Sequence, residues 1–302
     1  MPDLSEFVSF VAEKSEIVNV DLVERDVILH KILKEFCSSN LSSNYLFKGG
    51  SCLVKCYFGY YRFSVDLDFT WKNQKVWLVL RKNELRKGLI DEIRKFALLL
   101  KTVSEQLNLE FEAELANKKF LEFGGGGRMA TFKLWKGSEL IKIQVNFLEK
   151  LLFHHKNVIV RTLLGRNRLS GDMKAYFKEF LDFYRPIRIM AYDEREILCE
   201  KVRAILTRRA QKLRDFYDLF MLSEHGFKVE DQRKEIIDKV KWSLYYKKYR
   251  DNLESNRKGL EVDTRISEDP FERSLLMTKS QKGFEDFLET AGIELREIAS
   301  KV

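Results

Sequence analysis

Phe47-Lys48-Gly49-Gly50-Ser51, followed by Arg62-Phe63-Ser64-Val65-Asp66-Leu67-Asp68-Phe69, is the stretch on which the fold turns. In the second segment Phe63, Val65, Leu67 and Phe69 alternate with Ser64, Asp66 and Asp68. That period of two predicts a strand with one apolar face and one polar face. Aspartates at i and i+2 then project from the same side, roughly 6–7 Å apart along the strand. Gly49-Gly50 lets the backbone approach a ligand closely, and Ser51 opens a short helical pattern that runs through Tyr57. A hydroxyl and free N–H groups at such a start can receive phosphate oxygens. Transfer of a phosphoryl or nucleotidyl group needs the triphosphate held and its charge neutralised. Mg²⁺ does this with one or two carboxylates plus the substrate's own phosphates. Alone, an Asp-x-Asp pair on a strand ordinarily serves solubility, and a Gly-Gly pair an ordinary turn. Their order in this chain predicts a nucleotide and metal site.

Upstream, residues 4–15 and 20–37 read as amphipathic helices, the second with Leu22, Val23, Val27, Ile28, Ile32, Leu33 and Phe36 at three- and four-residue steps. The Ser/Asn cluster from Ser38 to Asn44 ends it. Downstream, residues 77–107 read as one long helix, and Met129–Trp135 and Leu140–Phe147 as a hairpin turning at Lys136-Gly137-Ser138. Gly124–Gly127 reads as a flexible approach to that hairpin, because it precedes a strand rather than a helix. Residues 172–185 and 193–224 look helical, and from 226 onward the chain is lysine-rich and helical, broken near Gly259 and Pro270. The pattern predicts an α/β part over 1–160 and a helical part over 161–302, with a soft boundary inside 150–190.

The bulk properties agree with a folded, polyanion-binding protein. The chain has 302 residues, 45% hydrophobic and 33% charged, with a net charge of +8. That surplus favours nucleic acid, although charge alone serves solubility equally well. Cys37, Cys52, Cys56 and Cys199 form no CxxC pair, and the adjacent His154 and His155 would face apart on a strand, so no zinc site is expected. Isolated thiols suit a reduced cytoplasm. The N-terminus MPDLSEFVSFVAEKSE carries acids and lacks the apolar core of a signal peptide. No uncharged apolar run approaches the ~18 residues of a membrane helix, so no membrane partner is expected.

Phe47 to Ser51 with Arg62 to Phe69 resembles the first motif of the nucleotidyltransferase-fold toxins of the AbiEii/AbiGii family, the MenT toxins among them. Val23-Glu-Arg-Asp-Val-Ile-Leu-His-Lys-Ile-Leu33 is similar to the helix that precedes the glycines there. Glu200-Lys201 followed by Arg214-Asp-Phe-Tyr-Asp-Leu219 looks like the family's downstream segment. The resemblance, over roughly residues 20 to 225, implies an α+β polymerase-beta-like nucleotidyltransferase core, a small mixed sheet flanked by helices, with a helical C-terminal domain completing the active site. It implies NTP and Mg²⁺ (Mn²⁺ as the alternative), transfer to the 3′ end of tRNA, and an antitoxin with a winged-helix domain.

The resulting candidate set has Asp66 and Asp68 as metal ligands and catalytic acids, with Lys201 and Asp215 as further catalytic residues. Lys48, Gly49, Gly50, Ser51, Arg62, Ser64 and Arg214 are the phosphate-binding candidates. Lys201 could meet a triphosphate and Asp215 could take a proton, while Asp218 reads as a structural partner. Without the family pattern, a solvated helix face laced with ion pairs would account for all of them. Gln144 stands where many enzymes of this fold carry a third acid, in Ile141-Lys-Ile-Gln-Val-Asn-Phe147; either Asp215, the favoured candidate, or Glu149 substitutes, or the site is weakened. Trp242-Ser-Leu-Tyr-Tyr-Lys-Lys-Tyr-Arg250, like Arg161, Arg166 and Arg168, could contact RNA; an amphipathic helix explains the first equally well. Two alternatives remain open from sequence: transfer to a protein side chain, and a catalytically weak module that binds NTP or RNA.

Overall fold

The computed structural model describes residues 2–165, 167, 169–259, 269–277 and 283–302. Arg166 and Arg168 fall outside these. The chain packs as two compact units, Met1–Glu149 with Asn157–Ala191, and Lys150–Lys156 with Tyr192–Val302. Residues 161–191, expected with the helical part, therefore pack with the first unit.

The first unit begins with helices α1 (Leu4–Lys14) and α2 (Val20–Ser38). Asp3 caps α1 in a reciprocal capping box with Glu6. Strand β1 (Tyr45–Lys48) leads into a short helix α3 (Gly49–Cys52) and a π-helical turn over Leu53–Phe58. Strand β2 (Asp66–Trp71), helices α4 (Lys75–Leu78) and α5 (Lys82–Gln106), and strands β3 (Leu121–Gly124), β4 (Met129–Lys136) and β5 (Glu139–Asn146) follow. Strand β6 (Lys156–Val160), helices α6 (Gly171–Tyr176) and α7 (Lys178–Phe183), and strand β7 (Ile187–Ala191) complete the set. Among the described residues the strands form one seven-stranded mixed sheet in the order β3-β4-β5-β2-β1-β7-β6. β2 runs parallel to β5 and antiparallel to β1, and β1 runs parallel to β7.

One face of this sheet is an aromatic core. Phe36 of α2 and Phe96 of α5 meet Phe69 of β2 at ring-centroid distances of 4.5 and 5.6 Å, and Phe96 stacks on Phe132 of β4 at 5.3 Å. Such pairs contribute about 0.5–1.5 kcal/mol each beyond the area they bury. Because Leu67 and Phe69 face the helices, alternation sends Asp66, Asp68 and Thr70 to the opposite face.

Several elements depart from the sequence reading. β1 shows no alternation because all four of its residues are buried, so it lacks the half-polar pattern that marks a strand. The predicted strand at 63–69 starts only at Asp66, and the helix expected over 77–107 divides into α4 and α5. The hairpin stands as expected, with Lys136 paired to Glu139 and Gly137 at φ 58° in the turn.

The second unit is helical: α8 (Glu194–Thr207), α9 (Leu213–Glu224), α10 (Arg233–Ser243), α11 (Lys247–Gly259), α12 (Pro270–Ser274) and α13 (Phe284–Lys301). The stretch read as helical over 193–224 is two helices, α8 and α9, separated at 208–212. Buried Glu196 of α8 binds this unit together: it accepts from the Leu152 and Phe153 amides at 2.7 and 2.8 Å and pairs with the Lys239 ammonium of α10. No described helix is long and apolar enough to cross a membrane.

Candidate active site

On the polar face of the first unit's sheet, Asp66 and Asp68 project side by side and are half-buried. Parallel register places Asp66 opposite Lys142 and Asp68 opposite Gln144, while Asp68 faces Lys48 of β1 across the antiparallel ladder. The Gly-Gly turn is fitted to this pair. Gly49 holds φ +77°, and a Cβ built there would stand 2.5 Å from Asp68 Oδ2. Only glycine both adopts that conformation at low cost and leaves the carboxylate its place. Two carboxylates on one face, cradled by bare backbone, match the donor set of a hard divalent cation that completes its shell with phosphate oxygens and water. Among the described residues no group of three or more His, Cys, Asp or Glu gathers into a metal cluster. An Asp pair sharing a cation with substrate phosphates requires no third protein acid.

The other candidates of this unit take different places. The Ser51 hydroxyl, 2% exposed, donates to the Asp66 carbonyl and meets the Ser64 hydroxyl, so it ties α3 to the start of β2. Ser64 is itself buried, with its hydroxyl against Ser51. The Lys48 ammonium contacts both Glu149 oxygens at 2.8 Å, and Thr70 and Asn146 each donate to Glu149 at 2.6 Å. With that much of its valence engaged, Glu149 is poorly placed to replace a third acid. Arg62 is 2% exposed and donates to the Phe63 carbonyl at 2.8 Å. Ser51 and Ser64 thus meet at the start of β2, Lys48 is paired with Glu149, Arg62 with the Phe63 carbonyl, and Gly49 lies against Asp68. The Arg161 guanidinium donates to the Tyr57 carbonyl at 3.3 Å.

Behind the glycine turn lies a buried polar cluster that sequence reading missed. Lys55, fully buried in the π-helical turn, meets Asp26 Oδ1 of α2 at 2.5 Å and the Tyr60 hydroxyl at 2.9 Å. The Tyr184 hydroxyl donates to Asp26 Oδ2 at 2.7 Å, and the Tyr60 hydroxyl reaches the same carboxylate at 3.1 Å. Burial, and then the Asp26 charge, push both tyrosine hydroxyls well above their usual range. Nearby His30 is driven down to about 3, first by burial and then by Lys55, so it stays neutral. The available signal was a lysine on the apolar side of the helical pattern after Ser51. A removed partner would leave a buried charge uncompensated, at a cost of about 3–5 kcal/mol.

In the second unit, Lys201 of α8 contacts Asp215 Oδ1 and Asp218 Oδ2 of α9, each at 2.6 Å. Arg208 reaches the other Asp215 oxygen at 2.5 Å. Asp215 is 4% exposed and Asp218 fully buried, so the group is an ion network joining the two helices rather than a solvated face. Burial pushes the Asp215 carboxyl up, but Lys201 and Arg208 outweigh it and hold the group below the ordinary carboxylate range. A carboxylate so held is a weak proton acceptor near neutral pH. Asp218, read from sequence as a structural partner, is paired with Lys201. Arg214 is bound to Glu272 of α12, whose carboxylate accepts from the Arg214 amide at 3.1 Å and lies 3.4 Å from its guanidinium.

A mixed sheet with Asp-x-Asp on its polar face beside a Gly-Gly turn, in a chain with a helical C-terminal unit, fits a nucleotidyltransferase. The family model described as nucleotidyl transferase AbiEii toxin, type IV toxin-antitoxin system, matches residues 31–299, and the chain belongs to that family. It is accordingly a toxin-family nucleotidyltransferase, with nucleotide substrates and an antitoxin partner. No curated protein matches the chain.

Proposed function

We propose that this enzyme transfers a nucleotide from an NTP to RNA, at the 3′ end of a tRNA, with Mg²⁺ held by Asp66 and Asp68 and Mn²⁺ as the alternative cation. The observation that supports this best is the fit between Gly49 and Asp68, where absence of a side chain makes room for a carboxylate beside its partner. A divalent cation bound there would neutralise phosphate oxygens and orient them. The chain's own residues do the rest. Asp66 and Asp68 hold their geometry because Ser51 anchors the Asp66 carbonyl, while the bare Gly49-Gly50 backbone lets a triphosphate approach. Gln144, opposite Asp68, contributes a neutral amide in place of a third charge. The acceptor hydroxyl would attack the α-phosphorus, losing its proton as pyrophosphate leaves, a transfer served by positioning and charge neutralisation.

In this proposal Lys201 and Asp215 act as a coupled pair: Asp215 and Asp218 fix the lysine's position, and Lys201 is the cation that serves the reaction. The net charge of +8 supports a polyanionic acceptor. The antitoxin is proposed to carry a winged-helix domain, and the setting to be the cytoplasm.

The test incubates the protein with divalent cation, labelled NTPs and total tRNA. Label should enter RNA, and Asp66→Asn or Asp68→Asn should abolish it while the melting temperature stays near wild type. Labelling that survives both substitutions removes the site assignment. Label entering protein instead of RNA overturns the acceptor and leaves the aspartate pair in place.

A further inference from the structure

Residues 241–250, Lys-Trp-Ser-Leu-Tyr-Tyr-Lys-Lys-Tyr-Arg, contain four cations, four aromatic rings and no acid. They close α10, turn, and open α11 within the second unit. Lys241, Tyr245, Lys247, Lys248 and Arg250 are exposed, Tyr245 to 75%. Tyr245 meets Tyr246 edge-on at 5.7 Å, Tyr246 meets Tyr249 at 5.8 Å, and the Arg203 guanidinium lies 5.9 Å from the Tyr249 ring. The result is a run of three rings ending on a cation.

The turn that displays Tyr245 is held rather than loose. Arg250 donates to the Leu244 and Tyr245 carbonyls at 2.5 and 3.1 Å, and the Tyr246 amide donates to the Ser243 carbonyl at 3.2 Å. Among the described residues no carboxylate pairs with Arg203, Lys241, Lys247 or Lys248, although the chain forms many ion pairs elsewhere. An exposed tyrosine on a fixed turn, flanked by unneutralised lysines, has the chemistry of single-stranded nucleic acid recognition. Bases of any identity stack on the ring while the lysines follow the phosphates.

We propose that the α10–α11 turn is an RNA-docking face, on which an unpaired stretch of the acceptor stacks against Tyr245 with its backbone along Lys241, Lys247 and Lys248. This rests on RNA as the acceptor and adds where the chain grips it. The face carries no sequence information, so it would hold many RNAs with similar strength, and choice of acceptor lies elsewhere.

Binding of fluorescent tRNA and of an unstructured RNA oligonucleotide to the full chain, by anisotropy across a salt series without NTP, tests it. Tyr245→Ala should weaken binding about 5- to 150-fold, the range for loss of one stacked base, with Tyr245→Phe close to wild type. Lys247→Glu with Lys248→Glu should weaken it tenfold or more and lower the salt slope by about 1.4, as for two lost single-strand phosphate contacts. Lys247→Arg with Lys248→Arg should restore both. Affinities within twofold of wild type for the alanine and glutamate variants overturn the docking face and leave transfer to RNA intact. A wild-type chain that binds neither RNA overturns the face and the acceptor together, while nucleotidyl transfer itself is judged separately by labelling.

Discussion

Gly49→Ala isolates the fit between the glycine turn and the aspartate pair. The new Cβ would stand 2.5 Å from Asp68 Oδ2, where ordinary contact begins near 3.4 Å. Either the backbone or the carboxylate must therefore give by about 1 Å, and a displacement of that size at a reacting centre can cost ~10²-fold in rate. Alanine at φ +77° adds about 1–2 kcal/mol of conformational strain. For a unit of this size that lowers the melting temperature by about 2–8 °C. Single-turnover transfer from labelled NTP, measured against divalent cation concentration, separates the two effects. The expected outcome is a fall in rate of about 10²-fold with a higher cation requirement, far more than a few degrees of melting temperature would explain. A variant that melts lower yet transfers at the wild-type rate, with unchanged cation dependence, would refute the idea that the missing side chain makes room for a ligand.

Other perturbations probe the support around this site. Asp26→Asn should destabilise the chain by about 3–5 kcal/mol in urea unfolding, whereas Asp26→Asn combined with Lys55→Met should recover most of that, because the double change leaves no buried charge and keeps an amide oxygen to accept from the tyrosines. Gln144→Glu should lower the cation concentration needed for half-maximal transfer, or for half-maximal thermal stabilisation, if the amide stands in a third ligand's place; no change in either measurement would remove Gln144 from the site. Asp193 is held at about 2 against an ordinary carboxyl of 3.8: burial raises it, and hydrogen bonds from Arg195 and Lys156 more than offset this. Its folded-state value is depressed, so its stabilisation is complete above pH ~4 and lost as pH falls toward 2. Asp193→Asn should cost on the order of 1 kcal/mol at neutral pH, and the gap to wild type should close across that acid window in urea melts.

How much could be read in advance follows from where the periodic signal survives. β5 and the polar face of β2 were legible because half-buried strands alternate, and the register then placed Gln144 opposite Asp68. β1 was not, since burial on both faces erases alternation. Ser64 sits before β2 begins, where alternation is no guide, and its contact with Ser51 was not legible from spacing. The division of 193–224 into α8 and α9 left no apolar interruption, because Arg208 to Lys212 are helix-forming residues whose break is stabilised from outside: Asn252 and Asn256 of α11 donate to the carbonyls of Ile205, Leu206, Thr207 and Arg208. Local propensity cannot report a cap supplied by a residue so distant in sequence. The pairing of Lys201 with Asp215 and Asp218 was similarly hidden, since spacing along a helix does not reveal which partner helix lies opposite.

The Asp26–Lys55 pair ties α2 to the turn that follows the glycines. The family correspondence starts at residue 31, within α2, yet the carboxylate that neutralises Lys55 lies ahead of that point. A chain trimmed to the corresponding span would keep the glycines and both site aspartates but strand an ammonium group in an apolar interior. α2 thus supplies the counter-ion for a lysine carried by the turn after the glycines. Relatives that lack an acid at this place should have exchanged the lysine for an apolar residue, so the two positions should change hands together.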